Sequence, residues 1–451
     1  MKKAVKIGNS QGFWGDGQDA SFELLNEQKD LDYLTLDYLA EVSLSIMAIQ
    51  KEKDLKLGYA KDFLDTVKSL IPLWKEGSRC KVITNAGGLN PLECAKECTK
   101  ILKEAGLPLS VAAVFGDDVL PLILKDVKNS QFNNLDSGKP IEKVTSSLVS
   151  ANAYLGAKSI VEALSKGADI VVTGRVADPS LTVAAAAFYW NWKFDQYDLL
   201  AGATVAGHLI ECGRQVTGGI LTDWLKLKDP FNIGFPIAEI FEDGSFVITK
   251  PKNTGGAVTE QSVKEQLLYE IGDPANYLSP DVTVSFLNLK VKDEGQDRVH
   301  VEGAKGSLPP KTLKVSTCYR DGFKAEGMLT IFGEEAVKKA KLCGQIILDR
   351  VKRSGFHLEK TNIEALGSLE VVPEIFKQDL SLKECVLRVA VKSPDFKAVS
   401  CFAKEIAPLV TSGPQGVVGY TSGRPSIREV FGFWPCLIDA LQVHPHVELI
   451  K

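Results

Sequence analysis

Arg175 follows a wholly apolar run, residues 170–172, within the segment TGRVADPS at 173–180. A guanidinium delivered by a buried strand offers a planar fork to a carboxylate, a phosphate or a thioester oxygen; it can equally pair with Asp178 or Asp117. Asp178-Pro179 reads as the N-cap and first residue of a helix, so Asp178 has a structural use beside a chemical one. His208 and Glu211 lie three apart in AGHLIECGRQVTGG (206–219) and fall on neighbouring faces of a helix. That spacing suits a general acid and base, with an ordinary hydrogen-bonded core histidine as the alternative. HxxE without a third ligand does not make a metal site. Asp117-Asp118 follow the apolar run 111–115 and could act as a base or hold Mg²⁺. Adjacent residues in an extended stretch point opposite ways, so only Asp117 is expected to enter a site.

Four further loops carry candidate binding groups. After the first strand come Gly8, Gly12, Gly15 and Gly17 with Asp16 and Asp19. This spacing is neither GxGxxG nor GxxxxGK[ST], so no dinucleotide or ATP site follows. Its free N–H groups could cradle an anion, or Asp16 or Asp19 could cap the next helix. Asn85-Ala86-Gly87-Gly88 precedes Asn90-Pro91, with Asn85 placed to orient a carbonyl, Gly88 allowing close approach and Asn90 as N-cap. Thr254-Gly255-Gly256 resembles a small anion-binding loop, or else a surface connection. Arg424, in the glycine-rich stretch 413–428 with Tyr420 and Arg428, could meet a CoA phosphate or a subunit salt bridge.

The elements that position these groups divide into two styles. Residues 1–229 alternate strands with helices, at 31–38, 41–53, 63–75, 81–84, 111–115, 158–166 and 170–173, which implies α/β with a largely parallel sheet and helices on both faces. Residues 230–451 read as α+β: a hairpin at 235–250 around Asp243-Gly244, strands at 282–291, 299–301, 313–319 and 327–332, a long helix at 334–353, then strand 385–391 and helix 395–410. A domain boundary is expected near Asp229-Pro230.

Composition narrows the class. The 451 residues are 45% hydrophobic and 24% charged, with net charge −4, which fits a globular protein and disfavours nucleic-acid binding. No apolar run reaches about eighteen residues, so no membrane span is expected. Nine cysteines, odd in number and without a CxxC pair, read as reduced thiols of a cytoplasmic protein. His444 and His446 read as surface strand or turn.

Taken together, GDGQDASFELL (15–25), LDYLTLDYLAE (31–41), ITNAGGLNP (83–91), FGDDV (115–119), SANAYLGAKSIVEALSKGADIVVTGRVADPSL (150–181), TKPKNTGGAVT (249–259), VKEQLLYEIGDPANYLSPDV (263–282), LKVSTCYRDGF (313–323) and EIAPLVTSGPQGVVGYTSGRPSIREVFGFWP (405–435) resemble the acyclic terpene utilisation A (AtuA) family over nearly the whole chain. The resemblance implies work on branched acyl-CoA thioesters in the breakdown of acyclic terpenes. Members often carry an additional small ferredoxin-like domain after the core. The expectation is that this chain stops near the end of the core, with such a domain absent or on a separate subunit.

Three functions remain open at this stage. One is a lyase or hydratase acting on a branched 3-hydroxyacyl-CoA, with Arg175 holding charge and Asp178, Asp117, Glu211 or His208 moving protons. A second is a non-catalytic binding or assembly subunit for an acyl-CoA carboxylase. A third is a divalent-metal enzyme acting on a small acid. No cofactor is expected beyond a coenzyme A thioester as substrate, and a homo-oligomer is expected.

Overall fold

A computed structural model describes residues 3–40, 42–372, 374–420 and 423–451. The chain divides into two compact units, one running up to Cys318 and including Phe433–Lys451, the other Tyr319–Gly432. The segment around Asp229-Pro230, read above as a boundary, lies inside the first unit. The reason is strand pairing: the hairpin after it extends the main sheet instead of starting a new one.

In the first unit β1 (Ala4–Asn9), α1 (Ala20–Glu27), β2 (Tyr33–Leu36), α2 (Ser43–Lys53), α3 (Asp62–Lys75), β3 (Lys81–Thr84), α4 (Pro91–Glu104) and β4 (Val111–Phe115) alternate as expected. The expected start of α2 at Glu41 lies outside the described residues. Then come α5 (Leu120–Lys125), β5 (Leu148–Ala153), α6 (Lys158–Ser165), β6 (Ile170–Thr173), α7 (Ser180–Trp190), α8 (Tyr197–Glu211), β7 (Ile237–Phe241), β8 (Phe246–Thr249) and α9 (Glu260–Leu268). The short strands β9 (Tyr277–Leu278), β10 (Thr283–Ser285), β11 (Lys290–Asp293), β12 (Val299–Glu302) and β13 (Lys305–Ser307) complete this run.

The main sheet has the order β11-β12-β8-β7-β1-β2-β3-β6-β4-β19, where β19 is His446–Ile450. Only its centre, β1-β2-β3-β6-β4, is parallel. β7 pairs antiparallel to β1, and β19 antiparallel to β4, so the sheet is mixed, not largely parallel. A four-residue connection between β7 and β8, residues 242–245, allows only an antiparallel neighbour, whereas parallel pairs need a crossover. The apolar IVVT of β6 is buried throughout, as a strand covered on both faces must be. Ile170 and Val172 join one core with Phe63, Val67 and Leu70 of α3 and Cys94 and Cys98 of α4. Each large side chain in it contributes about 1.5–3 kcal/mol by leaving water. Cys94 and Cys98 are free, buried thiols filling space. Among the described residues no helix is long and apolar enough to cross a membrane.

The loop after β1 is tied to the far end of α8. Asn9 Nδ2 donates to the carbonyls of Ile210 (2.7 Å) and Glu211 (3.1 Å). A Cβ on Gly12 would sit 2.6 Å from the Cys212 carbonyl carbon, so glycine is required by close backbone approach. Gly12→Ala is therefore expected to cost about 1–3 kcal/mol by overpacking. Urea unfolding measures it, and an unchanged midpoint would reject this role.

The second unit is built from β14 (Thr312–Phe332), α10 (Ala336–Arg353), β15 (Lys360–Leu366), β16 (Glu384–Ser393), α11 (Phe396–Glu405) and β17 (Val417–Tyr420), with β18 (Arg428–Asp439) leading back to the first unit. β14 joins in one strand what the sequence suggested as two, and its first residues belong to the first unit. The sheet order β15-β16-β14-β17, all antiparallel, with βαββαβ connectivity is the ferredoxin-like arrangement. A unit of that topology thus lies within the chain itself. Val337, Ala340, Ile347 and Val351 of α10 pack on Leu387, Val389 and Val391 of β16, leaving the alternate residues of each strand on the other sheet face.

Candidate active site

In the first unit, the carboxyl end of β6 and the end of α8 open on one cavity of about 380 Å³. Its charged lining is Arg175, Asp178, His208, Glu211, Glu270 and Lys314. The hydrophobic wall includes Tyr154 and Tyr277.

Arg175 is 3% exposed. Nη1 donates to Asp178 Oδ1 (2.7 Å) and to the Leu39 carbonyl (2.9 Å), and Nη2 reaches Asp178 Oδ2 at 3.4 Å. The guanidinium stacks 4.0 Å from the centre of the Tyr154 ring. Burial opposes its charge, but Asp178, Tyr154 and Asp37 outweigh this and hold it protonated.

Asp178 does not cap α7. The helix begins at Ser180 with Pro179 in the cap position and no side-chain cap bond. The carboxylate turns instead to Arg175, because a guanidinium is a stronger partner than two backbone N–H groups. The structural excuse that the sequence offered for Asp178 therefore falls away.

Asp117 stands behind the site. Its Oδ2 accepts from the backbone N–H of Arg175 (2.8 Å) and from Asn152 Nδ2 (2.8 Å). Gly174 leaves room for this carboxylate where any Cβ would collide with it. Asp117 is a positioning residue that fixes the Arg175 backbone. Burial lifts its pKa from 3.8 to about 6 against those hydrogen bonds. A folded pKa above the unfolded one means that folding takes up a proton. The stability of the protein thus falls as pH rises between those values, by about 3 kcal/mol for a two-unit shift. Asp117→Asn keeps an acceptor and removes the ionisation. Its unfolding free energy is expected to decline less than that of the wild type from pH 4 to 6.5, by about 3 kcal/mol; parallel curves would contradict the assignment.

His208 and Glu211 form the second half of the cavity. His208 Nε2 lies 3.0 Å from the Gln266 carbonyl, which can only accept, so Nε2 carries a proton. Nδ1 lies 3.1 Å from Glu211 Oε1. Burial pushes the His208 pKa down. Burial, together with the Asp178 and Glu270 charges, pushes Glu211 well up, and Arg175 only partly offsets this. Both shifts favour one state: neutral His208 with Nδ1 accepting a hydrogen bond from a protonated Glu211. Glu211 Oε2 is buried without a hydrogen-bond partner among the described residues. His208 is wedged at 6.1 Å against both Tyr277 and Phe286, which fixes the imidazole plane.

Asp37 was not singled out from the sequence. It is buried, accepts from Asn85 Nδ2 (2.6 Å), and is pushed up by burial and by the Asp178 charge. Asn85 thus orients a carboxylate beside Arg175, not a ligand carbonyl, while its Oδ1 accepts from the Tyr38 N–H at 2.7 Å. Asn90 occupies the α4 N-cap position, but its amide donates to the Leu55 and Leu57 carbonyls, 3.0 Å each. Glu270, also missed, lines the cavity with a left-handed backbone at φ 58°. Such strain in a non-glycine residue costs about 1–3 kcal/mol and gathers at functional sites. The signal lay in the quoted segments LDYLTLDYLAE, SANAYLG and VKEQLLYEIGDPANYLSPDV, where Asp37, Tyr154, Glu270 and Tyr277 sit.

The other candidates lie elsewhere. Gly12, Asp16 and Asp19 do not line the cavity; Asp16 Oδ2 accepts from the Gly12 N–H at 2.8 Å, and Asp19 makes no cap bond. Gly88 lines a separate cavity with Asp117 and Asp118. Thr254 Oγ1 donates to the Pro251 carbonyl (2.6 Å), while Gly255 and Gly256 N–H groups donate to the Asn232 and Lys228 carbonyls (2.7 and 2.9 Å), so this loop braces a neighbouring turn. Arg424 is exposed on the second unit, and Thr421 and Ser422 of its loop lie outside the described residues. Among the described residues no group of three or more His, Cys, Asp or Glu side chains is placed to hold a metal ion.

The sequence model described as acyclic terpene utilisation family protein AtuA matches residues 5–449. No curated protein and no solved structure matches the chain.

Proposed function

The chain belongs to the AtuA family of acyclic terpene utilisation, and from that premise we propose that the Arg175 cavity is the active site of a lyase or hydratase acting on a branched 3-hydroxyacyl-CoA thioester. One observation carries the reading. Two carboxyl groups share the cavity in opposite states, Asp178 ion-paired to Arg175 and Glu211 held neutral by burial with one oxygen unengaged. Environments that push two such groups apart assign base and acid within a single site.

In dehydration, Asp178 takes the proton from carbon 2, the thioester oxygen gains negative charge, and Glu211 protonates the hydroxyl leaving carbon 3 as water. In cleavage, a carboxylate takes the 3-hydroxyl proton, the bond between carbons 2 and 3 breaks, and Glu211 protonates carbon 2 of the departing enolate. Arg175 stabilises the carboxylate before transfer and the developing oxyanion after it. After either route the proton taken by the carboxylate leaves to water and Glu211 regains one from water, while His208 stays neutral and orients the protonated Glu211 through Nδ1. A cavity of about 380 Å³ suits the acyl part of such a substrate. Mass spectrometry of the purified protein with branched 3-hydroxyacyl-CoAs is expected to reveal an enoyl-CoA or a pair of cleavage products. Full recovery of every substrate in the panel would reject the reading.

A further inference from the structure

The open face of the ferredoxin-like unit holds a groove of about 450 Å³. Lys360 of β15 pairs in register with Lys392 of β16, and Lys392 with Lys324 of β14. Three lysines therefore stand side by side across three strands. Like charges directly opposite each other destabilise a sheet, so the row needs a compensating anion. Arg428 adds a fourth cation from the start of β18.

Not all of this charge is free. Lys392 is held by Asp321 (2.7 Å) and Glu359 (3.3 Å). Arg388, beyond Ala390 on the same strand face, is shared by Glu326 (3.2 Å) and Glu364 (3.1 Å). Lys324, Lys360 and Arg428 are exposed and have no carboxylate within ion-pair distance among the described residues. Of the groove's lining residues, Glu326 alone is acidic. This cluster of cations sits on a chain whose net charge is −4.

We propose that this groove binds an organic polyphosphate, a ligand with at least two separated phosphate groups. Lys324 and Lys360 stand two strand spacings apart at the backbone, about 10 Å, with Lys392 between them, so their ammonium groups can each take a separate phosphate. Lysines meet phosphate as point charges, and Arg428 adds a fork for a second group. Between the cations, the small side chain of Ala390 leaves a floor, and Asn362 and Ser426 offer neutral hydrogen bonds for the rest of the ligand. The coenzyme A moiety of a thioester and a free nucleoside polyphosphate share this chemistry. The proposal does not depend on the reading of the Arg175 cavity.

Isothermal titration of the full chain with CoA, ATP, pyrophosphate and inorganic phosphate tests it. Saturable binding of CoA or ATP is expected, weakening with salt, with inorganic phosphate at least ~10-fold weaker. A lead for CoA over ATP assigns the thioester carrier as the source, and the reverse assigns a free nucleotide. Lys324→Gln/Lys360→Gln is expected to weaken binding at least ~10-fold, the equivalent of one lost charge-assisted contact. Glu326→Gln, which removes the acidic lining group, is expected to tighten it, a result that does not depend on the double variant folding. No saturable binding at millimolar ligand, equal affinity for inorganic phosphate, or affinity unmoved in both variants would overturn the proposal. An intact groove with no turnover of hydroxyacyl-CoA separates this inference from the reading of the catalytic cavity.

Discussion

Arg175→Ala protein is expected to lose turnover by at least ~10²-fold, the scale set by deleting one charge-stabilising donor. Its stability is expected to fall by about 3 kcal/mol, the low end for breaking a buried ion pair. The low end applies because the Asp178 side chain is 30% exposed and can regain water, whereas Arg175 itself is 3% exposed. The loss has three parts in the structure. Asp178 is left without its cation, the Leu39 carbonyl without its donor, and the Tyr154 ring without its stacked guanidinium. Asp37, enclosed nearby, loses the one charge that lowers its pKa. Arg175→Lys separates the roles. A lysine restores the charge but not the planar fork, so most of the stability should return and little of the activity. Urea unfolding and initial rates on the three proteins check this, and an active Arg175→Ala enzyme would remove the cavity from consideration.

Glu211→Gln is the second large effect. Glutamine keeps a donor for His208 Nδ1, so the fold should hold, while turnover falls by about 10²–10⁴-fold with the loss of an acid. The pH behaviour follows from the sign of the shift. Burial raises the folded Glu211 pKa above 4.5, so the protonated, active form is lost as pH climbs through that raised value. Wild-type activity should decline on the alkaline side, and the residual activity of Glu211→Gln should not show that limb. Stability follows the same linkage: folding takes up a proton at Glu211 above pH 4.5, so the wild type weakens with rising pH by a contribution that the glutamine variant lacks. The gap between the two unfolding curves should therefore widen from pH 4.5 upward. A gap that narrows, or a variant with full activity, would mean that Glu211 is a structural carboxylate.

Arg175 and the His208–Glu211 pair were legible in the sequence because each breaks a local rule: a charge closing an apolar strand, and two titratable groups at helical spacing. The alternating units over 1–229 were legible because periodicity marks elements well. What failed were competitions between alternatives that the sequence left level. Asp178 could cap a helix or meet Arg175 three residues away, and the structure gives it to the guanidinium. The loop glycines looked like a phosphate cradle, but Gly12 answers to Cys212, some two hundred residues away. The hairpin after Asp229-Pro230 has the same local signature whether it opens a domain or extends a sheet. The ferredoxin-like unit was hidden because its first strand, β14, is 21 residues long and begins in the other unit.

Deuterium incorporation tests the central claim most directly. Both cleavage and dehydration move a proton at carbon 2 of the acyl group, and in both Glu211 or Asp178 exchanges it with solvent. The wild-type protein in D₂O with a branched 3-hydroxyacyl-CoA, or with its product, is expected to place solvent deuterium at carbon 2, and Glu211→Gln is expected to slow that exchange. Tight binding of the thioester with no deuterium at carbon 2 would contradict the account and leave a binding subunit in its place.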